Sequence, residues 1–517
     1  MIILVVVAFA LDFAHGLVLR QNEILFHPVY RVRQSLAIAL SRLHEVPVPG
    51  YTAHRGVVDA LNKHGFGIFP NDAGRDIGWE KLFDDPAALN RAFREAATAP
   101  VDTSAPLEIL RGNELGYADF IWTAFELFGI RVQSLYLLLF LLLGASAASY
   151  VAHFRRAPLM LFLLVLYLAA IYWLQLYVKS EGVGLNAITN SRVFSALTLL
   201  PAFHILVALA LPRPMDGTQK ASIVVQCVIF TFLMACRDET RWQLAMILVA
   251  AGLIAANTML RSWRADRRLL LYAVFKRCWP AILLGVLVAG ISVQKRIVAS
   301  ELYAGETKAH VFWHTVLAGL LVYSPELRTS YLDRDEQNAD MMVYLAVTHD
   351  LNKRSDTSSP IARVENGRIV LDSVYQTHYE RLVRSLTLRI LVRHPIEVSR
   401  GIATKIGRQF VALFWRPAID YRDMAVPIFI AALGAAVCGL GGGLSHTGPA
   451  ARRAISIPAC VLLFALVTPA IFPANEAVGT AVAYLTAGAL LVMLAIAALV
   501  KAAAGKSQAN RYEPSRE

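Results

Sequence analysis

The sequence predicts an all-α polytopic membrane protein: about 10 transmembrane helices with two large extracytoplasmic, mainly helical segments. Three observations predict it. The chain of 517 residues is 56% hydrophobic, with a mean hydropathy of +0.50. Its apolar residues fall in blocks of about twenty, the length a helix needs to cross roughly 30 Å of hydrocarbon. The blocks lack the alternation of an outer-membrane barrel, so their backbone must satisfy its hydrogen bonds inside helices.

In order along the chain, the expected spans are 2–19, 132–152, 158–178, 193–211, 221–236, 242–260, 278–294, 425–444, 454–472 and 478–500. The connections "HFRRAP", "LPRPMDGTQK", "RSWRADRRLLLYAVFKR" and "ARR" are basic and alternate with "KSEGVGLNAITNS", "RDETR" and "PANEAVG", which are less basic or acidic. The positive-inside rule then makes both termini cytoplasmic. The organisation that follows is a first transmembrane helix (1–19), a first extracytoplasmic loop domain (20–131) and a six-helix transmembrane block (132–294). A second extracytoplasmic domain (295–424), a three-helix block (425–500) and a cytoplasmic tail (501–517) complete it.

The net charge of +12 lies mostly in short loops between apolar blocks, where it reports orientation, so no nucleic-acid partner is expected. The five cysteines lie in or beside apolar blocks, which excludes a disulfide framework in the outward loops. Within those loops, "ALNRAFREA" reads as a helix. The segments "HYERLVRSLTLRILV" and "IEVSRGIATKIGRQFVALF" read as two amphipathic helices broken by "RHP". Their basic and apolar faces suit either an anionic lipid interface or packing of the two helices in a small subdomain.

Chemistry-bearing residues are few. Asp12 and His15 share a face of the first apolar segment, and an ionisable pair inside a membrane helix marks function or a pin between helices. From Met1 to Asp12 the helix rises about 16 Å, which places Asp12 near mid-bilayer. His310 and His314, spaced i,i+4, share a helical face. They read as two metal ligands completed by Asp333, Asp335 or Glu336, as substrate-facing groups, or as structural histidines. A divalent metal is thus one reading. Asp333 and Asp335 belong to the charge run "SYLDRDEQNADMM", a solvated face or the wall of a polar pocket. In "CRDETRW", Arg237 and Arg241 could neutralise a lipid phosphate, with Arg192 joining from the previous outward connection. No P-loop, dinucleotide fingerprint or GxSxG is present.

The layout of one span, a long outward loop, several short-loop spans and a second large outward region resembles the GT-C superfamily of membrane glycosyltransferases. The local likeness is carried by "GNELGYADFIWTAFELFGIRVQSLYLLLFLLLGASAASY" (112–150), where a polar turn leads into an aromatic-rich helix, an "FG" break and the second span. The resemblance implies transfer of a sugar from a polyprenyl-phosphate carrier to a cell-envelope glycan or lipid, at the outer face of a bacterial inner membrane. It also implies a catalytic carboxylate near the start of the first outward loop, which matches Asp12 first and Glu23 second. No acidic dyad opens that loop. Two other classes fit the same layout: a non-catalytic envelope scaffold, and a flippase or transporter of lipid-linked sugar.

Overall fold

A computed structural model describes residues 2–22, 30–46, 48, 50–66, 86–109, 115–180, 193–210, 215–237, 240–261, 267–298, 312–372 and 377–404. The last three expected spans and the tail lie outside these residues. The described chain is mostly helical, with two short antiparallel strand pairs.

The first group of elements begins with α1 (Ile2–Asn22), α2 (Tyr30–Ser41), β1 (Thr52–Ala53), α3 (Arg55–Lys63), α4 (Pro86–Ala97), β2 (Glu108–Ile109) and α5 (Leu115–Phe128). It continues with α6 (Val132–Phe154), α7 (Pro158–Ser180), α8 (Val193–Leu197), α9 (Leu199–Ala210), α10 (Gly217–Cys236), α11 (Arg241–Arg261) and α12 (Arg267–Val298). Four stretches, Val132–Phe154, Gly217–Cys236, Gln243–Leu260 and Tyr272–Gln294, are long and apolar enough to cross a membrane. Apolar helices of this kind fit a protein associated with the membrane.

Local chemistry explains the boundaries. Gly129, at φ +84, ends α5 and donates its N–H to the Phe125 carbonyl at 2.8 Å, as a left-handed glycine does at a helix C-terminus. Asp216 and Gln219 cap the start of α10 reciprocally. The span expected as one helix over 193–211 is divided at Thr198. Pro201 has no N–H to give the Leu197 carbonyl, so the α-helical ladder is interrupted there. The loop expected over 261–277 is helical from Arg267, because "RRLLLYAVFKRCW" contains no breaker before Pro280, which is carried inside α12.

One continuous core joins these elements, from Val5 to Leu284. It is dominated by large side chains buried between helices, among them Tyr117, Phe120, Tyr150, Phe162, Phe194 and Phe230. α11 and α12 keep much of their apolar surface exposed, with Leu253, Leu260, Phe275 and Val286 on the outside. Cys227, Cys236 and Cys278 are buried free thiols.

A second core is built from α13 (Phe312–Tyr323), α14 (Pro325–Tyr331), α15 (Ala339–Arg354), the hairpin β3 (Ala362–Glu365) and β4 (Arg368–Leu371), and α16 (Thr377–Arg393). A further helix runs over 395–404 after His394. The hairpin turns on Asn366 and Gly367, both at positive φ, as a two-residue turn between right-twisted strands requires.

Candidate functional site

In the region between α1 and α6, one ion pair gathers polar residues around it. Arg42, one residue past α2, reaches Asp119 in the first turns of α5, with Nη1 to Oδ1 at 2.5 Å. Its other nitrogen donates to the Gly50 carbonyl at 3.5 Å, and the guanidinium lies 4.9 Å from the centre of the Tyr51 ring. The Tyr51 hydroxyl donates to Asp119 Oδ2 at 3.4 Å. Burial and the neighbouring Asp119 carboxylate push the Tyr51 phenol well above its ordinary range, so it stays protonated and donates. About a third of the Asp119 side chain stays exposed (32%), which leaves this carboxylate open to a ligand.

The surrounding chain holds that geometry. Gly50 adopts φ +68 at the turn of "VPVPGY", which brings Tyr51 back over Arg42. Ser41 Oγ accepts the His54 N–H at 3.1 Å, fixing the start of α3 against the end of α2. His44 and His54 sit ring to ring at 5.7 Å and bond to the carbonyls of Ala96 and Val46. Burial lowers the pKa of His44, and so favours its neutral form.

α5 is seated directly on α10, one of the helices long and apolar enough to cross a membrane. A Cβ on Gly116 would lie 2.2 Å from the Ala235 carbonyl, so only glycine allows the two backbones this approach. Cys236 Sγ bonds to the Gly116 carbonyl at 3.3 Å, and Tyr117 and Phe120 pack on Phe194 at 5.6 and 5.0 Å between ring centres. Asp119 follows Gly116 by three residues, a rise of about 4.5 Å along the helix. Arg237 is the C-cap of α10, directly after Cys236. Asp119, Arg42 and the end of α10 are therefore assembled around one helix, α5.

The residues singled out from sequence meet different fates. Asp12 is fully buried in α1, which packs on α7, and lies within electrostatic reach of Tyr167. Glu23, Arg192 and His310 lie outside the described residues. Arg237 and Arg241 flank the short connection between α10 and α11, and Arg241 is exposed as the first residue of α11.

His314 is buried, with Nδ1 at 3.0 Å from the Tyr379 hydroxyl and Nε2 at 3.1 Å from Asp340 Oδ1. Its ring nitrogens are thus engaged by a phenol and by the carboxylate of Asp340, not by Asp333, Asp335 or Glu336, while His310, its expected companion, lies outside the described residues. Asp333 pairs with His349 at 2.8 Å and Asp335 with Arg328 at 4.0 Å, and both side chains are largely exposed. The physical reason is register: Asp340, in the first turn of α15, faces α13, whereas the preceding loop turns its acids outward. Among the described residues no group of three or more His, Cys, Asp or Glu side chains is arranged to hold a metal ion.

Beside His314, the Trp313 N–H donates to Glu380 Oε1 at 2.9 Å. Burial pushes the Glu380 carboxyl up to about 7, and among the described residues its Oε2 is buried without a hydrogen-bond partner.

Arg42, Tyr51 and Asp119 were not legible as a site. Asp119 lies inside "GNELGYADFIWTAF", where it reads as one polar residue of an aromatic helix. Its partner is 77 positions away. The available signal was the Pro/Gly turn "VPVPGY" next to an arginine. Comparison of the chain with protein-family models, curated proteins and solved structures finds no match.

Proposed function

We propose that the chain is a GT-C-like glycosyltransferase of a bacterial inner membrane, with ten spans and both termini cytoplasmic. It moves a sugar from a polyprenyl-phosphate carrier to a cell-envelope glycan or lipid at the outer face. The observation that carries this reading is the half-open Asp119 carboxylate, held by Arg42 and Tyr51 on the helix that rests on the end of α10. In this reading Asp119 takes the part of base expected of Asp12, because Asp12 is buried between helices where an acceptor hydroxyl does not reach it.

In this mechanism Asp119 takes the proton of the acceptor hydroxyl as the oxygen attacks the anomeric carbon, and the bond to the carrier phosphate breaks with inversion. Arg42 and Arg237 supply the positive charge that receives the departing phosphate. The Tyr51 hydroxyl orients the carboxylate.

The test is transfer from labelled polyprenyl-phosphate hexoses in proteoliposomes, with carrier retention followed by native mass spectrometry. Asp119→Asn is expected to lose at least about a hundredfold in turnover while retaining the carrier, and Asp12→Asn is expected to keep activity. Turnover by Asp119→Asn at the level of the unaltered protein would remove this residue as base. A protein that retains only ordinary phospholipid, even with carrier in excess, would overturn the transferase reading.

A further inference from the structure

We propose that α16 and the helix over 395–404 form a docking face for an anionic bilayer surface, independently of whether the chain is a transferase. One side of this pair is spoken for: Tyr379, Val383, Leu386, Ile390 and Val398 are buried in the second core. Among the described residues the opposite side is largely open, although the Arg384 guanidinium also lies 5.9 Å from the centre of the Trp313 ring. Arg381 and Arg384 are exposed near the N-terminal end of α16. They are followed on the same stripe by Leu388, Leu391 and Val392 (80% exposed), and then by Ile396 (63%) beyond His394.

Four large aliphatic side chains at i, i+3, i+4 and i+8 are a poor surface to leave in water, and the run reaches from one helix into the next. The charge around it is mainly positive. Arg381, Arg384, Arg393 and Arg400 are exposed, while the acids on these helices are Glu397 and the inward-facing Glu380. Arg389 is already bound to Asp350 at 2.6 Å and adds nothing to the face. The arrangement is that of an interfacial helix, with aliphatic groups for the acyl boundary and guanidinium groups for phosphate headgroups.

Position selects lipid as the occupant. The unit follows α12, an apolar helix of membrane-spanning length, and the next apolar block begins at 425, about twenty residues beyond 404. In sequence the unit thus stands between two apolar stretches, and the aliphatic end of the stripe is the C-terminal one, nearer in sequence to the second. Packing of the two helices within a small subdomain accounts for the buried side, and lipid accounts for the other.

The experiment uses the full chain in nanodiscs, with an environment-sensitive fluorescent amino acid in place of Val392 and, as a control, in place of Val364, which is exposed on β3. In discs of equimolar phosphatidylcholine and phosphatidylglycerol, the probe at 392 is expected to shift to the blue and to be quenched by brominated acyl chains. The probe at 364 is expected to remain in water. Arg381→Gln with Arg384→Gln, or discs of phosphatidylcholine alone, should lower the ratio of docked to undocked unit on the order of tenfold. Quenching at 392 no greater than at 364 would overturn the proposal. Full quenching retained by the double variant in both kinds of disc would overturn its dependence on anionic lipid.

Discussion

At Gly116 the requirement is a missing atom. The Ala235 carbonyl occupies the place a Cβ would take, and that contact fixes the distance between α5 and α10 and hence the position of Asp119 relative to the end of α10. Gly116→Ala should force the two backbones apart at a cost of about 1–3 kcal/mol, read as a lower thermal midpoint in detergent together with reduced transfer. Gly252, in α11, has open space around it, so Gly252→Ala should be neutral or stabilise by roughly 0.5–1 kcal/mol. Equal effects at both positions would refute the contact. Residue types in sequence reveal such requirements poorly. "GNELGY" reads as a turn entering a helix, and nothing in it names Ala235, more than a hundred positions away. The same limit applies to His314: its i,i+4 spacing from His310 is visible, whereas Tyr379 and Asp340, the groups it bonds, are set by which helices pack together.

Among the elements, α13 and α16 are joined where Glu380 accepts the Trp313 N–H in the first turn of α13. A carboxylate at a helix N-terminus is favourable, yet burial dominates here and raises the group from the ordinary 4.5 to about 7. Between those values the folded unit binds the proton more tightly than the unfolded chain does. The stability contributed by the protonated form is therefore full below about 4.5 and is lost as pH rises through about 7. Hydrogen exchange of α13 amides, corrected for intrinsic pH effects, should show roughly tenfold weaker protection at high than at low pH. Glu380→Gln should abolish that difference, since the amide oxygen still accepts from Trp313 without carrying charge. A variant that keeps the full pH dependence would assign it to another group. Elements of this kind were largely legible. The apolar blocks in the described chain are helices, and "HYERLVRSLTLRILV" is α16 with its break at "RHP". The divided span at Thr198 and the long α12 were missed because window hydropathy does not register a proline's missing N–H or the absence of a breaker. The hairpin at Asn366-Gly367 escaped a reading built on helical periodicity, although its turn residues are plain.

For the whole molecule, contacts between helix ends bear on sidedness. α4 and α5 touch the start of α6, the start of α8 and the end of α10: Asn90 Oδ1 accepts the Val132 N–H at 2.9 Å, Phe120 packs on Phe194, and Gly116 abuts Ala235. The opposite ends of these helices meet one another. His153, late in α6, lies 2.9 Å from His204, midway along α9, and the His153 carbonyl accepts from Gln219 at the start of α10 at 3.4 Å. Helix ends thus sort into two sets without reference to charge, and the basic connections "HFRRAP" and "LPRPMDGTQK" both fall with the second set. By the positive-inside rule this sorting supports the proposed placement of the set around α4 and α5 on the outer side. Single cysteines introduced at Ser104 and Ser358, both exposed in their loops, should react with a membrane-impermeant maleimide in intact spheroplasts. One introduced at Lys220, exposed in the first turn of α10, should react only after permeabilisation. The unaltered protein is labelled in parallel to set the background from its own five cysteines, of which Cys227, Cys236 and Cys278 are buried. Labelling at 220 in intact cells with protection at 104 would invert the orientation and move the Asp119 cluster to the cytoplasm. Labelling at 104 with protection at 358 would change the number of crossings between the two outward regions from even to odd.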